Sequence, residues 1–98
     1  MILEVVILMI RPGEEAGFES ALRHARPLIE ATPGFISLDL LRCRETPNRY
    51  LFHIHWKTVE DHMVGFRESS RFQLWREMLN PFYETTPVME HYSVVPTA

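Results

Sequence analysis

The stretch Phe35–Lys57, FISLDLLRCRETPNRYLFHIHWK, decides the fold of this chain. Phe35 to Arg44 and Arg49 to Lys57 are both strand-like, and the polar link Glu45-Thr46-Pro47-Asn48 has hairpin length and composition. The two runs are therefore expected to pair antiparallel. Along the second run, Tyr50, Phe52, Ile54 and Trp56 fall on one face, while His53 and His55 share the other. The aromatic row reads first as core packing and second as the wall of a cavity that stacks an aromatic ligand.

Working outward, Trp56 to Leu79 is a strand-to-helix junction holding both tryptophans of the chain. Thr58 and Asp61 stand where a hydroxyl and a carboxylate can satisfy the free N–H groups of a helix start. Val59, His62, Met63 and Phe66 then share a face, and Phe72, Trp75, Met78 and Leu79 repeat the stripe. Two short helices or one bent helix are expected. Upstream, Phe18, Leu22, Ala25 and Ile29 recur at helical steps between Glu14 and Ala31, with a kink or break expected at Pro27. Ile2 to Ile10 reads as a strand that ends at Arg11-Pro12-Gly13, and Val88 to Val95 as the last strand.

The order is β-α-β-β-α-β over a single domain, residues 1–98. It predicts an α+β, ferredoxin-like antiparallel sheet with both helices on one face. On the first strand Ile2, Val6, Leu8 and Ile10 point one way and Leu3, Val5, Ile7 and Met9 the other, so both faces are apolar. Two helices cover only one of them. A second, identical chain is the economical cover for the other, which predicts a homodimer.

Bulk composition narrows the function classes. The 98 residues carry a formal charge of -3 without a Lys or Arg run, so neither nucleic acid nor an anionic membrane is an expected partner. Cys43 is the sole cysteine, which excludes an internal disulfide and agrees with a reducing cytoplasm. Beside Arg42 and Arg44 on a strand, it is expected to be a small buried apolar residue. The apolar start is too short and too charged for a signal peptide or a spanning segment. Glycine-rich phosphate loops, nucleotide fingerprints and a Gly-x-Ser-x-Gly elbow are absent.

His62 leads the residues that can do chemistry, because an imidazole near neutral pKa can take or give a proton and its neighbours are apolar. A capping or packing role for it is equally open. His91 joins the same cavity if it faces the helices, in which case Glu90 and Tyr92 face away. His53 and His55 have metal-compatible spacing, but no third ligand of recognisable spacing accompanies them, so no metal is expected.

Thr32-Pro33-Gly34-Phe35 before the second strand, the Pro47-Asn48-Arg49-Tyr50 hairpin, Trp56 closing the third strand, Glu60, and Ser69 three before Phe72 together resemble the antibiotic biosynthesis monooxygenase family. The resemblance spans nearly the whole chain. It implies a dimeric α+β barrel with a cavity in each protomer, and oxygenation of a small aromatic phenol or quinol by O2 without a metal or organic cofactor. It further implies His62 as the base, and a pocket lined by Trp56, Phe66, Arg67, Phe72, Trp75, Tyr83 and His91, with Arg67 or Tyr83 steadying the oxyanion.

Two departures qualify the likeness. Many relatives carry a Glu two residues before the strand-ending Trp, where this chain has Ile54, and a His where it has Phe66. His62, one turn earlier on the same face, is the expected substitute. A haem-degrading branch is set aside because Val6, Phe66 and Arg76 occupy its three marker positions. A noncatalytic dimeric barrel that binds a hydrophobic metabolite, or acts as a stress-related module, is the alternative reading.

Overall fold

The computed structural model describes residues 1–98. Its elements are β1 (Ile2–Met9), α1 (Glu15–Glu30), β2 (Phe35–Arg42), β3 (Arg49–Trp56), a π-helical turn (Asp61–Phe66), α2 (Ser70–Leu79), a 3-10 turn (Asn80–Phe82) and β4 (Val88–Tyr92). The sheet has the order β2-β3-β1-β4 with every pair antiparallel, as expected of a ferredoxin-like fold. No helix is long and apolar enough to cross a membrane.

One face of the sheet and one stripe of each helix make the core. Val6, Leu8, Leu38, Tyr50, Phe52, Ile54 and Trp56 from the strands meet Phe18, Leu22, Ala25 and Ile29 of α1. Phe66, Trp75 and Leu79 complete it from the second helical run. Period two in the strands and steps of three and four in the helices therefore select the buried positions directly.

Several boundaries and packing roles differ from expectation. α1 runs unbroken through Pro27, and hydrogen bonding resumes beyond it with Ala31 N–H donating to Pro27 C=O at 3.1 Å. Pro27 and Arg23 are both exposed, so the carbonyl that loses its partner lies on the watered side of the helix. β4 ends at Tyr92 rather than Val95, because Tyr92 already pairs with Leu3 and β1 has almost no residues left to pair. β2 ends at Arg42, short of Arg44. Cys43 is only half-buried and sits in the hairpin turn, where its Sγ accepts from Thr46 N–H at 3.3 Å, so it is not the buried apolar residue expected.

The second helical run is two pieces. Thr58 Oγ1 accepts from Asp61 N–H at 3.1 Å, which closes the first turn. The Asp61 carboxyl makes no return bond to Thr58 but lies over Gly34, whose φ of 91° ends the α1–β2 loop. Arg67 N–H donates to His62 C=O at 2.9 Å, one residue wider than an α-helical bond. Ser69 then opens α2, its Oγ accepting from Phe72 N–H at 3.4 Å and donating to Phe66 C=O at 2.6 Å.

The opposite sheet face has no second layer within the chain. His53 and His55 lie there, His55 Nδ1 standing 3.2 Å from Ser37 Oγ, along with Leu3, Val5, Ile7 and Leu51. Ile7, Leu41, Val88 and Tyr92 are exposed large apolar residues.

Candidate active site

Glu4 organises the site. It is a lone carboxylate in an apolar strand, and strand alternation places it on the same face as Val6 and Leu8, toward the helices. It is only 5 % exposed. Across the sheet it pairs with Ile54 on one side and His91 on the other. Trp56, fully buried at the end of β3, donates Nε1–H to Glu4 Oε1 at 2.9 Å. The π-helical turn brings His62 down from the opposite layer, with its Nε2 3.3 Å from Glu4 Oε2. The imidazole stacks on the Trp56 ring at 5.2 Å between centroids, and its Nδ1 lies 2.8 Å from His91 Nε2.

Burial shifts both titratable groups toward their neutral forms. Burial raises the Glu4 carboxyl from its ordinary 4.5 to about 7, offset in part by the Trp56 hydrogen bond and the Arg67 charge. Burial, then the charges of His91 and Arg67, lower His62 from 6.5 to about 3. The two groups stand at ion-pair distance, yet burial disfavours the charged form of each. The hydrogen bond of the imidazole runs to His91, and the Glu4 carboxyl stands beside its other nitrogen at contact distance. His91 is lowered as well, first by burial and then by Arg67.

This network stands at one end of a cavity of about 570 Å³ between sheet and helices, within the ordinary range for small-molecule sites. Glu4, Val6, Phe52 and Ile54 form its sheet wall, and His62, Phe66, Phe72 and Trp75 its helical wall. Arg67, Arg76, Tyr83 and the segment Glu84 to Pro87 also line it. That segment is anchored to the end of β1, with Ile10 bridging to Tyr83 and Glu84 N–H donating to Met9 C=O at 2.8 Å. Arg67 lies over the Phe72 ring at 5.1 Å and Arg76 over the same ring at 5.9 Å, and neither takes part in an ion pair. Burial pushes the Tyr83 phenol up, so it stays a protonated donor.

Of the residues expected from sequence, His62, Phe66, Arg67, Phe72, Trp75 and Tyr83 line the cavity. Trp56 does not; it lies behind the carboxyl and imidazole and positions both. His91 touches the cavity only through His62. Glu90 and Tyr92 point the other way and bond to each other at 3.1 Å. No three His, Cys, Asp or Glu side chains are arranged to hold a metal ion. Glu4 was missed from sequence, although the alternation that assigned Val6 and Leu8 to the core assigns it too. It is the directly paired position of Ile54, so a carboxyl reaches this part of the sheet from β1.

A four-stranded antiparallel sheet under two helices, with a partly open cavity of mixed polar and apolar lining between them and one buried carboxyl in its wall, defines a small α+β protein with a single candidate site. The family model for antibiotic biosynthesis monooxygenases matches residues 1–78, and the chain belongs to that family. It is 41% identical over 95 residues to the uncharacterized protein YczJ of Bacillus subtilis (strain 168), covering 97% of this chain and 100% of that one. A solved Bordetella bronchiseptica protein named for the same family superposes with a TM-score of 0.93 at 37% identity, covering 97% of each chain. SnoaB, a cofactor-independent oxygenase from Streptomyces nogalater, shares the fold with a TM-score of 0.84 at 21% identity, over 98% of this chain and 94% of that one.

Proposed function

We propose that this chain is a monooxygenase that oxidises a small electron-rich phenol or quinol with O2, using no metal or organic cofactor, with the Glu4 and His62 pair as its base. The observation that carries the reading is the carboxyl poised near 7 at the end of an aromatic-lined cavity. A base matched to the working pH removes a phenolic proton most effectively. His62, whose charged form burial disfavours, is the expected base in a changed role: hydrogen-bonded to His91 at Nδ1 and 3.3 Å from the carboxyl at Nε2, it stands where it can exchange a proton with Glu4.

In this reading the ionised carboxyl takes the phenolic proton, and the phenolate oxygen is met by the Arg67 guanidinium and the Tyr83 hydroxyl. The phenolate passes one electron to O2, and the resulting phenoxyl radical and superoxide join at a ring carbon. The peroxide takes a proton back from Glu4. Loss of the hydrogen on that ring carbon then forms the new C=O as the O–O bond breaks, and the departing hydroxide leaves as water. Phenol and O2 give quinone and water; a quinol gives a hydroxyquinone and water. The substrate supplies all four electrons, so no outside reductant is needed. Phe52, Phe66, Phe72 and Trp75 keep the phenolate and O2 in an apolar environment.

The test is oxygen uptake with hydroxynaphthalenes and naphthohydroquinones. The account expects uptake above buffer that falls about 100-fold in His62→Ala, at the lower end of what acid-base catalysis contributes. Uptake equal to buffer, with ligand-dependent thermal stabilisation, is the outcome expected of a noncatalytic binder instead.

The exposed apolar sheet face supports a homodimer built by packing that face against a second copy. β1 is apolar on both sides, and its Leu3, Val5 and Met9 are only half-buried in one chain, which favours a second copy as the cover.

A further inference from the structure

Glu4 has little contact with water, and an aromatic substrate placed in the cavity it lines would cover it further. Each turnover nonetheless has to begin with this carboxyl ionised, and a proton has to be stored while the phenolate reacts with O2. We infer that Glu4, His62 and His91 form a relay that moves protons between the cavity and solvent at the edge of the sheet. The inference rests on the oxygenase reading for its use in turnover, but the relay itself is a property of the substrate-free chain.

Three observations carry it. The three side chains stand in line, Glu4 Oε2 at 3.3 Å from His62 Nε2 and His62 Nδ1 hydrogen-bonded to His91 Nε2 at 2.8 Å. The far end is open: β4 is an edge strand and His91 is half-buried. Every buried side-chain nitrogen and oxygen has a partner, whereas His91 Nδ1 has none, so that atom reaches solvent. Finally, the line is held in register by independent parts of the fold. Glu4 and His91 are directly paired across β1 and β4, while Trp56 fixes the carboxyl by a hydrogen bond and the imidazole by stacking.

The proton bookkeeping admits two arrangements. In one, protonated Glu4 donates to His62 Nε2, and His62 Nδ1–H donates to His91 Nε2. In the other, ionised Glu4 accepts from His62 Nε2–H, and His62 Nδ1 accepts from His91 Nε2–H. Passing from the first to the second moves one proton from Glu4 to His91, which releases its Nδ1 proton to water; the reverse order recharges Glu4. His62 changes tautomer and is never an imidazolium. The other charged or titratable groups facing the line are Arg67 from the end of the π-helical turn, Arg76 from α2, and Tyr83 and Glu84 from the segment after it. Arg67 opposes an imidazolium at His62, and Tyr83 stays protonated.

Nitrogen-15 spectra of the histidines in the full, substrate-free chain test the relay apart from any activity. As pH rises through about 7, the protonated nitrogen of His62 is expected to change from Nδ1 to Nε2. Glu4→Gln, whose amide donates permanently to Nε2, is expected to hold it at Nδ1–H at every pH. One tautomer on both sides of pH 7 in the unmodified chain, or an imidazolium at His62, overturns the relay. In oxygen uptake, His91→Ala is expected to lower kcat roughly tenfold with KM unchanged. Added imidazole, which can occupy the space left, restores it. Unaltered kcat, or a loss that imidazole does not restore, overturns the relay. Absence of uptake by the unmodified chain overturns the oxygenase reading instead, and the spectra then decide the relay alone.

Discussion

Glu4 and His62 titrate in opposite senses, and stability reports both. Glu4 is raised, so its favourable share is full below pH 4.5 and is lost as pH rises through about 7. His62 is lowered, so its share is full above 6.5 and is lost as pH falls toward about 3. Stability should therefore be greatest between about 4.5 and 6.5. Glu4→Gln removes the alkaline loss and should stabilise the chain at pH 8 by on the order of 1–3 kcal/mol, read from denaturant unfolding. An unchanged or lower stability at pH 8 would contradict a buried, raised carboxyl. Trp56→Phe removes the hydrogen bond that holds Glu4 down, so the acidic limb of the pH–rate profile should move to higher pH. His62 was legible in the sequence because a His among Met63, Phe66 and Trp75 stands out. Glu4 was not, because the hydrophobic run around it reads as uninterrupted core.

At the scale of elements, the sequence pattern specifies all four strands and both helical runs, because each buries one face at its own period. The π-helical turn is another matter. Residues four apart share a face in both α and π geometry, so the spacing of His62 and Phe66 does not distinguish them. The cavity wall from Tyr83 to Pro87 was hidden for a different reason: it is placed by the Ile10 bridge and the Met9 carbonyl, which lie far away in sequence. Two substitutions probe the joints. Ser69→Ala deletes the cap of α2 and should cost about 1 kcal/mol, with Phe72 and Trp75 losing order on the cavity side. Gly34→Ala places a methyl against the Asp61 carboxyl at a φ that disfavours side chains. It should cost more than the 1–2 kcal/mol of backbone strain alone, measured by thermal unfolding.

At the scale of the molecule, the sheet separates two tasks. Its helical face carries the cavity, and its other face carries Ile7, Leu41 and Val88 into solvent. A solution mass of two chains is expected, reduced to one by Ile7→Glu; a single-chain mass for the unmodified protein would contradict the covered-face argument. The central claim concerns the helical face, where burial raises one carboxyl to about 7 and the proposed reaction uses it as the base. Oxygen uptake by the purified, metal-free chain with a hydroxynaphthalene at pH 7.5, compared with Glu4→Gln, tests it most directly. The account predicts quinone and oxygen uptake in equal amounts, falling about 100-fold in the variant. Uptake no greater than buffer, or equal rates in the two proteins, would contradict it.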